Sequence, residues 1–149
     1  MTDHENLIKT LNHLLDVCVE GRRGYEHAAE HIDEEDLKTL FTEFATERNE
    51  FAYELRHLIQ ELGSEPHEGH NPYATLHRSW VDIQTALSHD DTQIVLRECR
   101  RGEEVALRQY LSALAGELDD ARATVWKQYE AIKIVKEKIT QLLKNVEIA

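Results

Sequence analysis

Apolar residues recur at alternating steps of four and three along most of this chain, a rhythm that suits long amphipathic helices and little else. Between residues 7 and 32 the stripe reads Leu7, Leu11, Leu14, Cys18, Gly21, Tyr25, Ala28 and Ile32. Asp33 is placed to cap a second helix whose first turn carries Glu34, Glu35 and Asp36. Its stripe runs Leu37, Phe41, Phe44, Arg48, Phe51, Leu55, Leu58 and Leu62, and Gly63 closes it.

Residues 63 to 73, GSEPHEGHNPY, concentrate Gly, Pro and Asn and predict a loop. A short helix follows, with Leu76, Trp80, Ile83 and Leu87 on one side, and SHDD caps a third long helix. That helix carries Leu96, Cys99, Glu103, Ala106, Tyr110 and Ala113 inward and stops near Gly116. The fourth presents Leu118, Ala121, Val125, Gln128, Ile132, Val135, Ile139 and Leu142.

Tight turns join the first two helices and the last two, whereas about 27 residues separate the pairs. At ~1.5 Å per residue a 30-residue helix is ~45 Å long, a span that such a connection covers. One long crossover between two hairpins predicts an all-α, ferritin-like four-helix bundle, with residues 1–149 as a single domain. VCVEGRRG in the first helix also echoes ECRRGEEV in the third, with Cys18 matching Cys99 and Gly21 matching Gly102. A pseudo-twofold repeat follows, whose glycines would let the first and third helices approach closely.

The net charge of −12 argues against phosphate contacts, so nucleic acid is excluded as a partner. No apolar run is long enough to cross a bilayer, and MTDHENLIKTL lacks the order of a secretory signal, which makes the cytoplasm the expected location. Cys18 and Cys99 fall among apolar helical positions and read as small buried residues rather than a disulfide.

Glu54-x-x-His57 raises the question of a di-metal site, which needs about six inward carboxylate and imidazole ligands. At 100° per residue, Glu54 sits roughly 80° and His57 roughly 140° from the centre of its stripe. Glu47 is a flanking position and Glu50 points outward; Glu20, Glu26, His27 and His31 fall off the first stripe. The pair His27 and His31 has the spacing of a surface metal clip but reads more readily as solvated. In the fourth helix the nearest equivalent of Glu-x-x-His is Glu130-x-x-Lys133, and an ammonium does not ligate a cation. The stripes instead hold Arg48, Glu103 and Gln128, which predict a buried Arg48–Glu103 pair with Gln128 completing its hydrogen bonds.

His67, His70 and His77, with Glu65 and Glu68, are too irregular for an ordered zinc or nickel site. Tyr25, Tyr110 and Tyr129 read as packing residues rather than redox groups. Phosphate-binding loops and nucleophile elbows are missing from the sequence, which therefore names no reaction.

LNHLLDVCVEGRRGYEHAAE, FATERNEFAYEL, LGSEP, LHRSW, ECRRGEEVALRQY and QYEAIK together resemble a family of bacterial four-helix-bundle proteins of unassigned function within the ferritin-like superfamily. The resemblance implies the same topology and loosely suggests stress or envelope-related physiology. It also implies a His-Asp pair late in the fourth helix, where this chain has Lys136-Glu137, which removes an imidazole ligand. Within LHRSW, His77 and Arg78 are expected to pair with a bundle end while Trp80 packs the crossover helix down.

The expectation is a non-enzymatic, acidic, cytoplasmic bundle without a cofactor, acting as a homodimer or through another protein partner. Off-stripe Val17, Val105, Trp126 and Ile134 are the expected interface. The alternative is a ferritin-like di-metal protein binding iron or manganese through Glu47, Glu54, His57 and Glu103 and handling oxygen or peroxide.

Overall fold

The computed structural model describes residues 2–67 and 92–148, and those residues form four long helices and one short 3-10 turn, with no strand. They are α1 (Asp3–His31), α2 (Glu35–Glu61), α3 (Thr92–Leu114) and α4 (Arg122–Ile148), the 3-10 turn (Asp119–Ala121) leading into α4. The expected crossover helix, LHRSW with His77, Arg78 and Trp80, His70, and the SHDD cap all lie outside the described residues.

Local chemistry sets the helix ends. The Thr2 side chain accepts from the Glu5 backbone N–H at 3.1 Å while the Glu5 carboxylate accepts from the Thr2 N–H at 3.2 Å. This reciprocal cap starts α1 one turn ahead of the apolar stripe. The N-cap of α2 is Glu34, not Asp33, and no side chain closes it. Gly63 takes φ 85, its N–H bonding Gln60 O at 2.9 Å while Ser64 N–H bonds Ile59 O at 3.2 Å. That left-handed residue stops α2 and satisfies its last carbonyls. Arg122 donates to Leu114 O at 3.0 Å, so the first residue of α4 caps the end of α3.

In the bundle α1 packs on α2 and α3, and α4 packs on α3 and α2. Two apolar clusters show the directions. One joins Leu7–Val19 of α1, Phe51–Ile59 of α2, Val105–Leu114 of α3 and Ala121–Ile132 around the start of α4. The other joins Tyr25–Ile32, Leu37–Ala45, Val95–Cys99 and Val135–Leu143. Neighbouring helices therefore run antiparallel, and α2 ends in one cluster while α3 begins in the other. None of the helices among the described residues is long and apolar enough to cross a membrane.

The stripes of α1 and α3 are buried at every residue named from the sequence, but the others drift. In α2 the buried residue near the C-terminus is Ile59, with Leu58 half-buried; in α4 it is Leu143, with Leu142 half-buried. A straight helix gains about 20° on a seven-residue repeat each heptad, so an extrapolated stripe slips by one residue. Val17 and Val105 are corrections to the expected interface, at 1% and 4% exposure, whereas Trp126 and Ile134 are exposed at 51% and 66%. Both cysteines are free and buried.

Candidate functional site

A polar layer separates the two apolar clusters. Arg48 on α2, at 1% exposure, donates through Nη2 to both carboxylate oxygens of Glu103 on α3, which is fully buried. A charge-assisted bond this deep offsets much of the cost of taking both ions from water, so the pair adds little net stability although losing one partner would be costly. Burial pushes the Glu103 carboxyl up, against the pull of the Arg48 guanidinium and of the Tyr25 hydroxyl that faces it. The guanidinium is raised by Glu103 and stays charged.

Tyr25 closes the layer from α1. Its ring centre lies 6.0 Å from the Arg48 guanidinium carbon and packs edge-on against Phe44 at 5.3 Å. Gly21, one turn earlier, faces the guanidinium directly: a methyl built there would overlap Arg48 Nη1. Its missing side chain makes room for the cation of α2, a contact beyond the helix approach expected of this glycine. Nη1 itself has no hydrogen-bond partner among the described residues.

Gln128 is fully buried but does not complete the ion pair. Its Oε1 accepts from the Tyr110 hydroxyl at 2.7 Å, and its Nε2 donates to Phe51 O at 3.3 Å and to Glu54 Oε1 at 3.1 Å. Tyr110 in turn meets the Cys18 sulfur at 3.1 Å. The result is a second network beside the ion pair, running from the α1 core to a carboxylate at the α2 edge. Burial pushes the Cys18 thiol up to about 11 and the Tyr110 hydroxyl well above its ordinary value, so both stay protonated and serve as hydrogen-bonding groups.

The four residues of the di-metal alternative are not brought together. Glu103 is committed to Arg48, and Glu54 to Gln128. The His57 side chain is 63% exposed and pairs with Glu61 at 2.9 Å. Glu47 is half-buried, its carboxyl raised by desolvation. A guanidinium beside Glu103 repels a second cation, so this donor set does not fit a dinuclear centre. Among the described residues the group with metal-ligand spacing is His27, Glu30 and His31, whose ligand atoms lie within 4.8 Å of one another near the end of α1. His27 is half-buried and the other two are exposed, and His31 Nδ1 bonds His27 O at 2.9 Å.

The stripes predict Arg48, Glu103 and Gln128 as a polar group, whereas Tyr25, Tyr110, Cys18 and Gly21 read from the sequence only as packing or close-approach residues. Tyr110 sits two turns from Glu103 on the α3 stripe, but the α1 stripe that holds Cys18, Gly21 and Tyr25 has no charged or amide residue, so nothing local marks them as part of a polar layer. Asp16, at 4% exposure, was missed because it lies off the stripe, on a part of α1 buried continuously from Leu14 to Val19.

No curated protein and no solved structure matches the chain. The family described as Domain of unknown function (DUF2383) matches residues 6–116, from the start of α1 to the end of α3, and the chain belongs to that family.

Proposed function

We propose that this protein is a ferritin-like bundle without chemistry of its own, acting by association with a second copy or another protein. The observation that carries the reading is the Arg48–Glu103 pair, buried where a di-iron bundle would gather its carboxylates. A guanidinium there supplies the positive charge that ions otherwise supply, and it leaves no exchangeable position for a substrate. The second support lies outside: Leu111, Trp126 and Ile134 keep half or more of their surface exposed on α3 and α4. Apolar side chains presented so openly on helices are the usual anchors of a protein contact. The ferritin-like part of the reading is supported by the two hairpins whose α2 end and α3 start lie in opposite clusters, as a long crossover between them requires.

Metal analysis of untagged protein purified without chelator tests the central claim. The expected result is a folded chain without stoichiometric iron or manganese. Close to two irons per chain, lost in Glu103→Gln, overturns it.

A further inference from the structure

We infer that the outer face of the α3–α4 hairpin is a two-fold self-association surface, on which α3 of one copy lies against α4 of a second copy. The inference rests on the association reading above and names its partner and symmetry.

The face is a groove of about 710 Å³ between the two helices, floored by Leu107 and Tyr129. Leu111, Arg108 and Glu104 line it from α3 and Lys133 from α4, while Trp126 and Glu130 stand on the adjoining part of α4, the Trp126 ring 5.7 Å from that of Tyr129. The Tyr110–Gln128 hydrogen bond fixes the relative height of these antiparallel helices. Counting outward at ~1.5 Å per residue, Arg108 is level with Glu130, and Glu104 with Lys133 and Leu111 with Trp126 to within about one residue. At these three levels each helix therefore carries one apolar residue and two charges, alternating in opposite senses, and farther along α4 the groove is also lined by Lys136, Glu137 and Lys144.

Those charges are not used across the groove within the chain. The Glu104 carboxylate lies 3.8 Å from Arg100 on its own helix, and the Lys133 ammonium rests 5.6 Å from the centre of the Tyr129 ring. No ion pair crosses the groove among the described residues. Leu111 and Trp126 are 50% and 51% exposed.

A second copy turned by 180° about an axis in the plane of the face, parallel to the helices, lays its α4 over the first copy's α3 at unchanged height. Trp126 then covers Leu111, Glu130 meets Arg108 and Lys133 meets Glu104, and each contact occurs twice, as an isologous interface requires. An axis across the helices, centred on this patch, instead sets Glu130 against Glu130 and Arg108 against Arg108. Charge therefore selects the first arrangement. Two helices roughly 35 Å long and about 10 Å apart present on the order of 700 Å², close to what each partner of a stable dimer buries.

Sedimentation of the full chain across a concentration series tests this, with circular dichroism melts to establish that each variant is folded. The wild type is expected to be a dimer. Glu104→Lys with Arg108→Glu reverses the α3 rim, and Glu130→Lys with Lys133→Glu reverses the α4 rim. Each reversal alone is expected to weaken self-association at least about tenfold. An equal mixture of the two reversed proteins is expected to form a heterodimer, because reversed α3 then faces reversed α4 while the unchanged rims face each other. A dimer indifferent to both reversals overturns this surface and leaves the association reading standing. Loss of self-association without rescue in the mixture overturns the two-fold pairing. A wild-type chain that stays monomeric at the highest concentration removes the surface and the self-association reading together.

Discussion

Glu103 and Glu104 are consecutive on α3 and have opposite surroundings. Glu103 is fully buried against Arg48, whereas the Glu104 side chain is 42% exposed on the groove rim, with Arg100 at 3.8 Å. The same carboxylate is thus an obligatory partner in one region and an available one in the other. In the interior its loss strands a cation away from water; on the rim water replaces whatever it touched. The centre of the bundle is closed by its charges, and the outer face of the α3–α4 hairpin is left open by its own.

The largest test of that contrast is Glu103→Leu. Leaving Arg48 buried without its partner is expected to cost about 3–5 kcal/mol, or roughly 10 °C or more in a thermal melt. Glu104→Ala in the same dilute conditions should cost under about 0.5 kcal/mol. The double variant Arg48→Leu with Glu103→Leu should recover most of the single loss, since apolar residues of similar volume can replace a buried pair. If Glu103→Leu melts with the wild type, the two regions do not differ as described.

Gly21→Ala sharpens the interior side. Alanine ordinarily gains about 1 kcal/mol over glycine inside a helix, but the added methyl overlaps Arg48 Nη1 and displaces the guanidinium. A net loss of about 1–3 kcal/mol is expected from that overpacking. Combined with Arg48→Leu the penalty should vanish, and a double-mutant cycle showing no coupling would place the cation elsewhere.

The smallest effect concerns Glu47, which lies between the two situations. Desolvation raises its carboxyl above 4.5, so the folded chain holds that proton more tightly than the unfolded chain does. The stability this contributes is full below the ordinary carboxylate value and is lost as pH rises through the raised one. Glu47→Gln should therefore melt slightly above wild type at neutral pH, and the advantage should disappear as pH falls below about 4. A constant difference across that range would mean that charge at Glu47 is not the cause.

Much of the interior was legible in the sequence. The helical period put Arg48, Glu103 and Gln128 inward because it follows from local geometry, and all three are buried. It did not show what each would touch. Gln128 was matched to the ion pair, yet its amide meets Tyr110 and Glu54 instead. Val17 and Val105 were assigned to the surface because a single stripe underestimates how much of a helix its neighbours cover. The reciprocal cap at Thr2 and Glu5 was readable as a Thr-x-x-Glu pattern, although the apolar stripe drew attention to Leu7.

By itself the sequence determined the helices, their inward stripes and the presence of charge in the core, because side-chain spacing and turn chemistry act over a few residues. The tertiary structure decided that Gly21 makes room for a guanidinium, that Glu103 and Gln128 serve separate networks, and that Arg108 comes level with Glu130. Those outcomes depend on the relative heights of antiparallel helices, and turn geometry and core packing fix these only when the whole bundle closes.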